Sequence, residues 1–96
     1  MGLFILTEQA AADIDEIWEY IAESNLDAAD RSIERLLEAM QKLADRPGMG
    51  RTRPDLADSR HRFWVENPYL IVYRADTDPL QIIRVLHGAR DLENLL

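Results

Sequence analysis

The chain has 96 residues, 47% of them hydrophobic, which fits one compact domain over residues 1–96 with a single core. Its formal net charge of -7 disfavours direct, sequence-specific nucleic-acid binding, because neutralising phosphates requires a basic surface. The absence of cysteine and of a long apolar segment favours a cytoplasmic protein that needs no membrane, metal or other cofactor.

Positive charge is concentrated in the second half of the chain. Residues 1–45 hold 11 of the 18 acidic residues and 3 of the 11 basic ones, whereas residues 46–96 hold the other 7 acidic residues and 8 arginines. Five of those arginines fall in one connecting region: Arg46, Arg51, Arg53, Arg60 and Arg62. We therefore expect one end of the molecule to be locally basic, with guanidinium groups suited to bidentate contacts.

The first half of the chain predicts two helices after a short apolar run. Thr7 is a good N-cap for an amphipathic helix over about residues 8–24, in which isoleucines recur at helical spacing. Asp27 is the expected N-cap of a second helix, which Pro47 ends at about residue 45. The connection between them is so short that the two helices should form an antiparallel hairpin.

The second half predicts a loop followed by three strands. Residues 46–56 contain two prolines and two glycines and have neither helical nor strand periodicity. Together with the N-terminal run, the predicted strands cover residues 3–6, 60–66, 69–74 and 80–87. Tight turns join the last three strands, so the order β-α-α-β-β-β predicts an α+β domain, an antiparallel sheet with the N-terminal helical hairpin packed on one face.

The last predicted strand is the most apolar and β-prone stretch, and Gly88 ends it. We expect it to be buried on both faces. Strict alternation places Ile82, Arg84 and Leu86 on one face and Ile83, Val85 and His87 on the other. A buried guanidinium needs a partner, so Arg84 should meet a carboxylate, with Asp91 and Glu66 as candidates, or line an open face.

Four segments of the chain resemble the ParE toxins of the RelE/ParE superfamily in their order and spacing. They are residues 12–22 (ADIDEIWEYIA), 46–51 with 53–56 (RPGMGR and RPDL), 69–74 (YLIVYR) and 84–91 (RVLHGARD). The resemblance covers nearly the whole chain. It implies the RelE/ParE-like fold, a bacterial cytoplasmic toxin neutralised in a hetero-oligomer by a ParD-like antitoxin, and inhibition of DNA gyrase by binding, without established catalytic residues.

Two sets of residues are candidates for these contacts. The basic set, for the target, is Arg51, Arg53, Arg74, Arg84, His87 and Arg90. The apolar set, for the antitoxin, is Trp18, Leu37, Trp64 and Tyr73. Core positions remain the competing interpretation for the aromatic residues, above all for Trp18 with its helical spacing among isoleucines.

Two alternatives remain open. A ribosome-dependent mRNA endonuclease of the RelE type would use His87 as proton carrier, with Arg84 or Arg90 stabilising the phosphate. The acidic and apolar sequence of residues 91–96 speaks against it, because such a tail repels phosphate. The other alternative is a relative that forms the complex without being toxic.

Overall fold

The computed structural model describes residues 2–88, 90 and 91. Its elements follow in the order β1 (Phe4–Leu6), α1 (Glu8–Ala22), α2 (Leu26–Asp45), a short 3-10 turn (Pro47–Met49), β2 (His61–Glu66), β3 (Tyr69–Arg74) and β4 (Leu80–His87). The strands form one sheet in the order β1-β4-β3-β2. The predicted α+β fold is confirmed, and the sheet is mixed, because β1 runs parallel to β4 while β2, β3 and β4 form an antiparallel meander.

Both helices begin at side-chain caps. Thr7 caps α1 as predicted, since its hydroxyl accepts a hydrogen bond from the backbone N–H of Ala10 at 3.1 Å. The expected cap of α2 was wrong by two residues: Asn25, not Asp27, accepts from the N–H of Ala28 at 2.9 Å. Asn and Asp are equally good N-caps, so the sequence does not distinguish Asn25 from Asp27 as the N-cap of α2. Asp27 instead lies in the first turn, near the positive end of the helix dipole.

The sheet is covered on both faces. On one face the helical hairpin contributes Leu36, Met40 and Leu43 to a cluster with strand residues such as Ile71 and Ile82. On the other face lies a smaller cluster: Phe63, Leu70, Val72 and Leu86, with Leu56, Ala57 and Ile83 against it. The predicted burial of the last strand on both faces is therefore confirmed, and so is the placement of Phe63 and Trp64 on opposite faces.

A β-bulge breaks the expected alternation along β4. Val72 of β3 pairs with Arg84, but the next residue pairs with Ile82, which leaves Ile83 as the extra residue. Because of this extra residue, odd- and even-numbered side chains point to opposite faces of the sheet on the two sides of the bulge. Ile82 and Val85 therefore lie together in the helix-facing cluster, and the predicted grouping of Ile82 with Leu86 was wrong.

The connection after α2 is more ordered than its composition predicts. The buried Tyr73 hydroxyl donates to the carbonyl of Pro47 at 2.7 Å and accepts from the N–H of Gly50 at 2.8 Å. A Cβ at Gly50 would lie 2.5 Å from that hydroxyl, so this close approach requires glycine. Arg51 then forms a two-way backbone bridge with Phe63, which extends the sheet beyond β2.

Among residues 2–88, 90 and 91, no helix is both long and apolar enough to cross a membrane.

Candidate functional site: a groove between the first helix and the last strand

A groove of about 590 Å³ lies between α1 and the end of the sheet where β3 begins and β4 ends. Its lining residues are Asp13, Glu16, Ile17, Tyr20 and Ile21 from α1, Pro68, Tyr69, Val85 and His87 from the strands and their turn, and Arg90 and Asp91 beyond β4. The antiparallel pairing of Tyr69 with His87 places these two side chains together at its wall. We refer to this feature as the α1–β4 groove.

His87 is held in the α1–β4 groove by three contacts. Its ring meets the edge of Tyr69 in a T-shaped arrangement, with centroids 6.0 Å apart. Its backbone N–H donates to Asp91 Oδ2 at 2.7 Å, and its Nδ1 accepts a long hydrogen bond of 3.4 Å from the N–H of Arg90. Because Arg90 and that backbone N–H both donate to Asp91, the pKa of this carboxyl lies below its usual range.

Arg84 finds its partner on α1, and the candidates Asp91 and Glu66 were wrong. Its Nε and Nη2 donate to the two oxygens of Asp13 at 2.8 and 3.0 Å. Asp13 Oδ2 also accepts from the backbone N–H of Val85 at 2.9 Å, and its side chain is only 12% exposed. The Asp13 carboxylate thus fastens α1 to β4 beside the bulge.

Sequence reasoning missed the role of Asp13, although the residue lies in the first segment of the family resemblance. A signal was present: Asp13 precedes Ile17 by four residues and therefore shares the apolar side of the helix. A carboxylate on the apolar side of a helix requires a partner on the neighbouring element. Arg84, a charged residue within an apolar strand, required a partner for the same reason.

The charges of the α1–β4 groove are mostly paired internally. Asp13 is neutralised by Arg84 and Asp91 by Arg90, whose Nε lies 3.0 Å from Asp91 Oδ1. Glu16 makes no ion pair within the described part of the chain. Phosphoryl chemistry needs a cation directed at the developing charge. The two arginines here already face carboxylates, so the arrangement suits the binding of a polypeptide better than RNA cleavage.

The other predicted target residues lie outside the groove: Arg51 bridges to Phe63 beside the β2 edge of the sheet, and Arg74 ends β3. Arg74 is five residues from Tyr69 along β3, about 17 Å at the usual rise of a strand. Arg74 pairs with Asp76 at 2.7 Å, and Arg53 pairs with Asp55 at 2.8 Å. The structure therefore places His87 and Arg90 in the groove and Arg84 against Asp13 of its wall, whereas Arg51, Arg53 and Arg74 do not line it.

Neighbouring carboxylates reduce the basic character that we expected of the region after α2. Arg60 and Asp58 form a third pair of the same kind, at 2.8 Å. In each pair the hydrogen-bonded guanidinium lowers the pKa of the carboxyl below its usual range. Arg51 differs, because it is exposed and makes no ion pair with any residue of 2–88, 90 and 91.

The apolar candidates divide into surface and core. Trp18 is 37% exposed and donates from Nε1 to Asp30 at 2.9 Å, so the competing interpretation of Trp18 as a core residue was wrong. Leu37 is 40% exposed on α2, and Trp64 is half-buried beside the helix-facing cluster. Tyr73 is fully buried, so it cannot contact an antitoxin and is removed from that set. Sequence reasoning did not place Tyr20 among the candidate contacts, yet it is 73% exposed at the α1–β4 groove.

Fold and site define a small α+β protein with a groove between its first helix and its last strand. Residues 4–92 match the family described as ParE toxin of type II toxin-antitoxin system, parDE. The chain belongs to this family of toxins. The matched range includes the helical hairpin, the mixed sheet and all of the segments that carry the resemblance.

Individual relatives agree with this assignment. Toxin ParE3 of Caulobacter vibrioides is 29% identical over 93 residues, which are 96% of this chain and 92% of the relative. Putative toxin Y4kP of Sinorhizobium fredii is 32% identical and Toxin RelE2 of C. vibrioides 35% identical, each over 94% of this chain and over 92% and 99% of the relative. A solved structure described as a chromosomal ParDE TA system from P. aeruginosa has the same fold, with a TM-score of 0.73 and 24% identity over 91% of this chain and 96% of that one.

Proposed function

We propose that this toxin inhibits DNA gyrase by binding it in the bacterial cytoplasm, and that a ParD-like antitoxin neutralises it in a hetero-oligomer. Family membership supports a toxin. The observation that supports the binding mechanism is that Arg90, in the lining of the α1–β4 groove, and Arg84, behind its wall, both already pair with carboxylates, so neither guanidinium is directed at a phosphate.

The proposed target contacts are Arg51, Arg53, Arg74, Arg84, His87 and Arg90. Arg51 ranks first among them, because it is exposed, makes no ion pair among the described residues, and follows a loop fixed by the Tyr73 hydroxyl. Because the backbone is already fixed, only the side chain of Arg51 has to be ordered when its guanidinium binds a carboxylate or phosphate of the target. The paired arginines would first have to leave their own carboxylates.

The test measures gyrase supercoiling and cleavage-complex formation with the purified chain, with and without the protein encoded next to it. We expect inhibition that the neighbouring protein relieves, and a loss of inhibition of about ten-fold or more in Arg51→Ala. Arg31→Ala is the matched control, since Arg31 is exposed on α2 and makes no ion pair among the described residues. Unchanged supercoiling at saturating toxin would refute the gyrase proposal.

The proposed antitoxin contacts are Trp18 and Leu37 on the helical hairpin and Trp64 beside it. Their exposed apolar area would be covered by an amphipathic segment that folds on binding. We expect Trp18→Ala and Leu37→Ala to weaken the complex with the neighbouring protein while leaving gyrase inhibition intact. Equal affinity for wild-type and both variants would place the antitoxin elsewhere.

The endonuclease remains the second candidate, because His87 and Arg90 both line the α1–β4 groove and Arg84 pairs with Asp13 of its wall. His87→Ala distinguishes the two mechanisms. A nuclease loses transcript cleavage and growth arrest together when its proton carrier is removed. A toxin that acts by binding leaves transcripts whole in wild-type as well as in His87→Ala, and a weaker arrest in the variant would then reflect a lost target contact.

A further inference from the structure

We infer that the α1–β4 groove seats a segment of the antitoxin that carries an apolar side chain and, beside it, a lysine or arginine. This inference rests on the proposed function, since it takes the antitoxin as the occupant. It concerns a surface separate from Trp18 and Leu37, because neither residue lines the groove.

The shape of the groove fits an apolar side chain. Ile17, Ile21 and Val85 provide an apolar lining, and Tyr20 and Tyr69 provide aromatic surface. A volume of about 590 Å³ lies within the range of sites that bury small molecules or a few side chains. Tyr20 is the most exposed large hydrophobic side chain of the described residues, at 73%, and a partner in the groove would cover it.

The charge of the groove selects a basic segment. Asp13 and Asp91 already face arginines, so Glu16 is the carboxylate left to meet a partner. Asp15 and Glu19 are also exposed on α1 and add to the negative charge of the helix, although neither lines the groove. An acidic segment would be repelled here, whereas a lysine or arginine beside the apolar side chain would meet Glu16.

The same charges disfavour the other possible occupants. A second copy of this chain carries a formal net charge of -7, so docking it here would bring like charges together. Nucleic acid meets the same difficulty, because its phosphates would approach Glu16 and the paired carboxylates. A protein segment with its own positive charge is the occupant that the surface favours.

The experiment measures the affinity of the purified chain for the purified neighbouring protein by calorimetry, at low and at high salt. Glu16→Gln removes the charge with little change in shape, and Glu16→Lys reverses it. Tyr20→Ala removes the exposed aromatic surface without opening the core. Glu38→Gln is the matched control, because Glu38 is an exposed carboxylate on α2 outside the groove.

We expect Glu16→Gln to weaken the complex about two- to five-fold at low salt, Glu16→Lys to weaken it further, and both effects to shrink at high salt. Tyr20→Ala should weaken it about ten-fold at either salt concentration. Glu38→Gln should bind like wild-type.

Three outcomes would overturn the inference while leaving the proposed function standing. Tighter binding by Glu16→Lys would mean that the segment is acidic. Wild-type affinity in both the Glu16 and Tyr20 variants would mean that the antitoxin binds outside the groove. Loss of gyrase inhibition without loss of antitoxin binding in Tyr20→Ala would assign the groove to the target. If no complex forms at all with wild-type chain, the proposed antitoxin itself fails.

Discussion

Replacing Asp13 with alanine should be among the most destabilising single changes at the α1–β4 groove. The substitution leaves the backbone N–H of Val85 without its acceptor, which costs about 1–3 kcal/mol. It also removes the ion pair with Arg84, which we discount to about 1 kcal/mol because that side chain is 37% exposed and can rehydrate. The free energy of unfolding should therefore fall by about 2–4 kcal/mol.

Urea unfolding followed by circular dichroism measures this loss, and thermal unfolding should show a melting temperature lower by about 10–25 °C for a chain of this size. Asp13→Asn should lose less, about 1 kcal/mol, since its amide oxygen can still accept from Val85. Asp15→Ala is the matched control: the same residue type on the same helix, exposed and outside every ion pair described here. An Asp13→Ala variant as stable as Asp15→Ala would refute the argument that this carboxylate fastens the helix to the strand.

Three further predictions concern the loop after α2 and the end of β4. Tyr73→Phe removes the hydroxyl that orders the loop and should lower the free energy of unfolding by about 1–3 kcal/mol, measured by urea unfolding. Gly50→Ala should lower the free energy of unfolding by about 1–3 kcal/mol, because the added Cβ meets the Tyr73 side chain. Gly48→Ala, whose Cβ has no atom within 4 Å, should match wild-type within about 0.5 kcal/mol. Equal melting temperatures for the two alanine variants would contradict the close approach at Gly50. Hydrogen bonds, above all the one from Arg90, lower the pKa of Asp91 in the folded protein. Ionised Asp91 therefore stabilises the fold at pH values above its unfolded-state pKa of about 4, and this stabilisation is lost as the pH falls through its folded-state pKa. The gap in melting temperature between wild-type and Asp91→Asn should therefore shrink below about pH 4, and a gap independent of pH would argue against the ion pair.

Much of the fold follows from local patterns in the sequence. Isoleucines at helical spacing, the Thr7 cap and the tight turns between apolar runs predict the elements and their order, because each depends on a few neighbouring residues. The β-bulge at Ile83 could not be predicted, since it depends on how two strands pair and has no local marker here. Once one extra residue is overlooked, every residue beyond it in the strand is predicted on the wrong face of the sheet.

The site was predicted less completely than the fold, because it depends on contacts between distant residues. The sequence marked Arg84, His87 and Arg90 as unusual, and the structure places His87 and Arg90 in the groove and Arg84 against Asp13 of its wall. It could not identify Asp13 as the partner of Arg84, 71 residues away, nor show that Tyr73 points inward. Ion pairs and burial of this kind are settled by topology, which periodicity alone does not specify.

The parallel pairing of β1 with β4 has a consequence for how the toxin acquires its activity. The two strands meet across most of the chain, and the hydroxyl of Thr7 reaches the carbonyl of Ile83, 76 residues later. The helical hairpin can form early from local contacts, whereas closing so long a loop is slow. β4 occupies the interior of the sheet and supplies one wall of the α1–β4 groove. Until β4 has paired, the chain therefore lacks the completed sheet, the folded positions of Arg84 and His87 and one wall of the groove, so that the proposed target contacts and the proposed antitoxin site form in the same step.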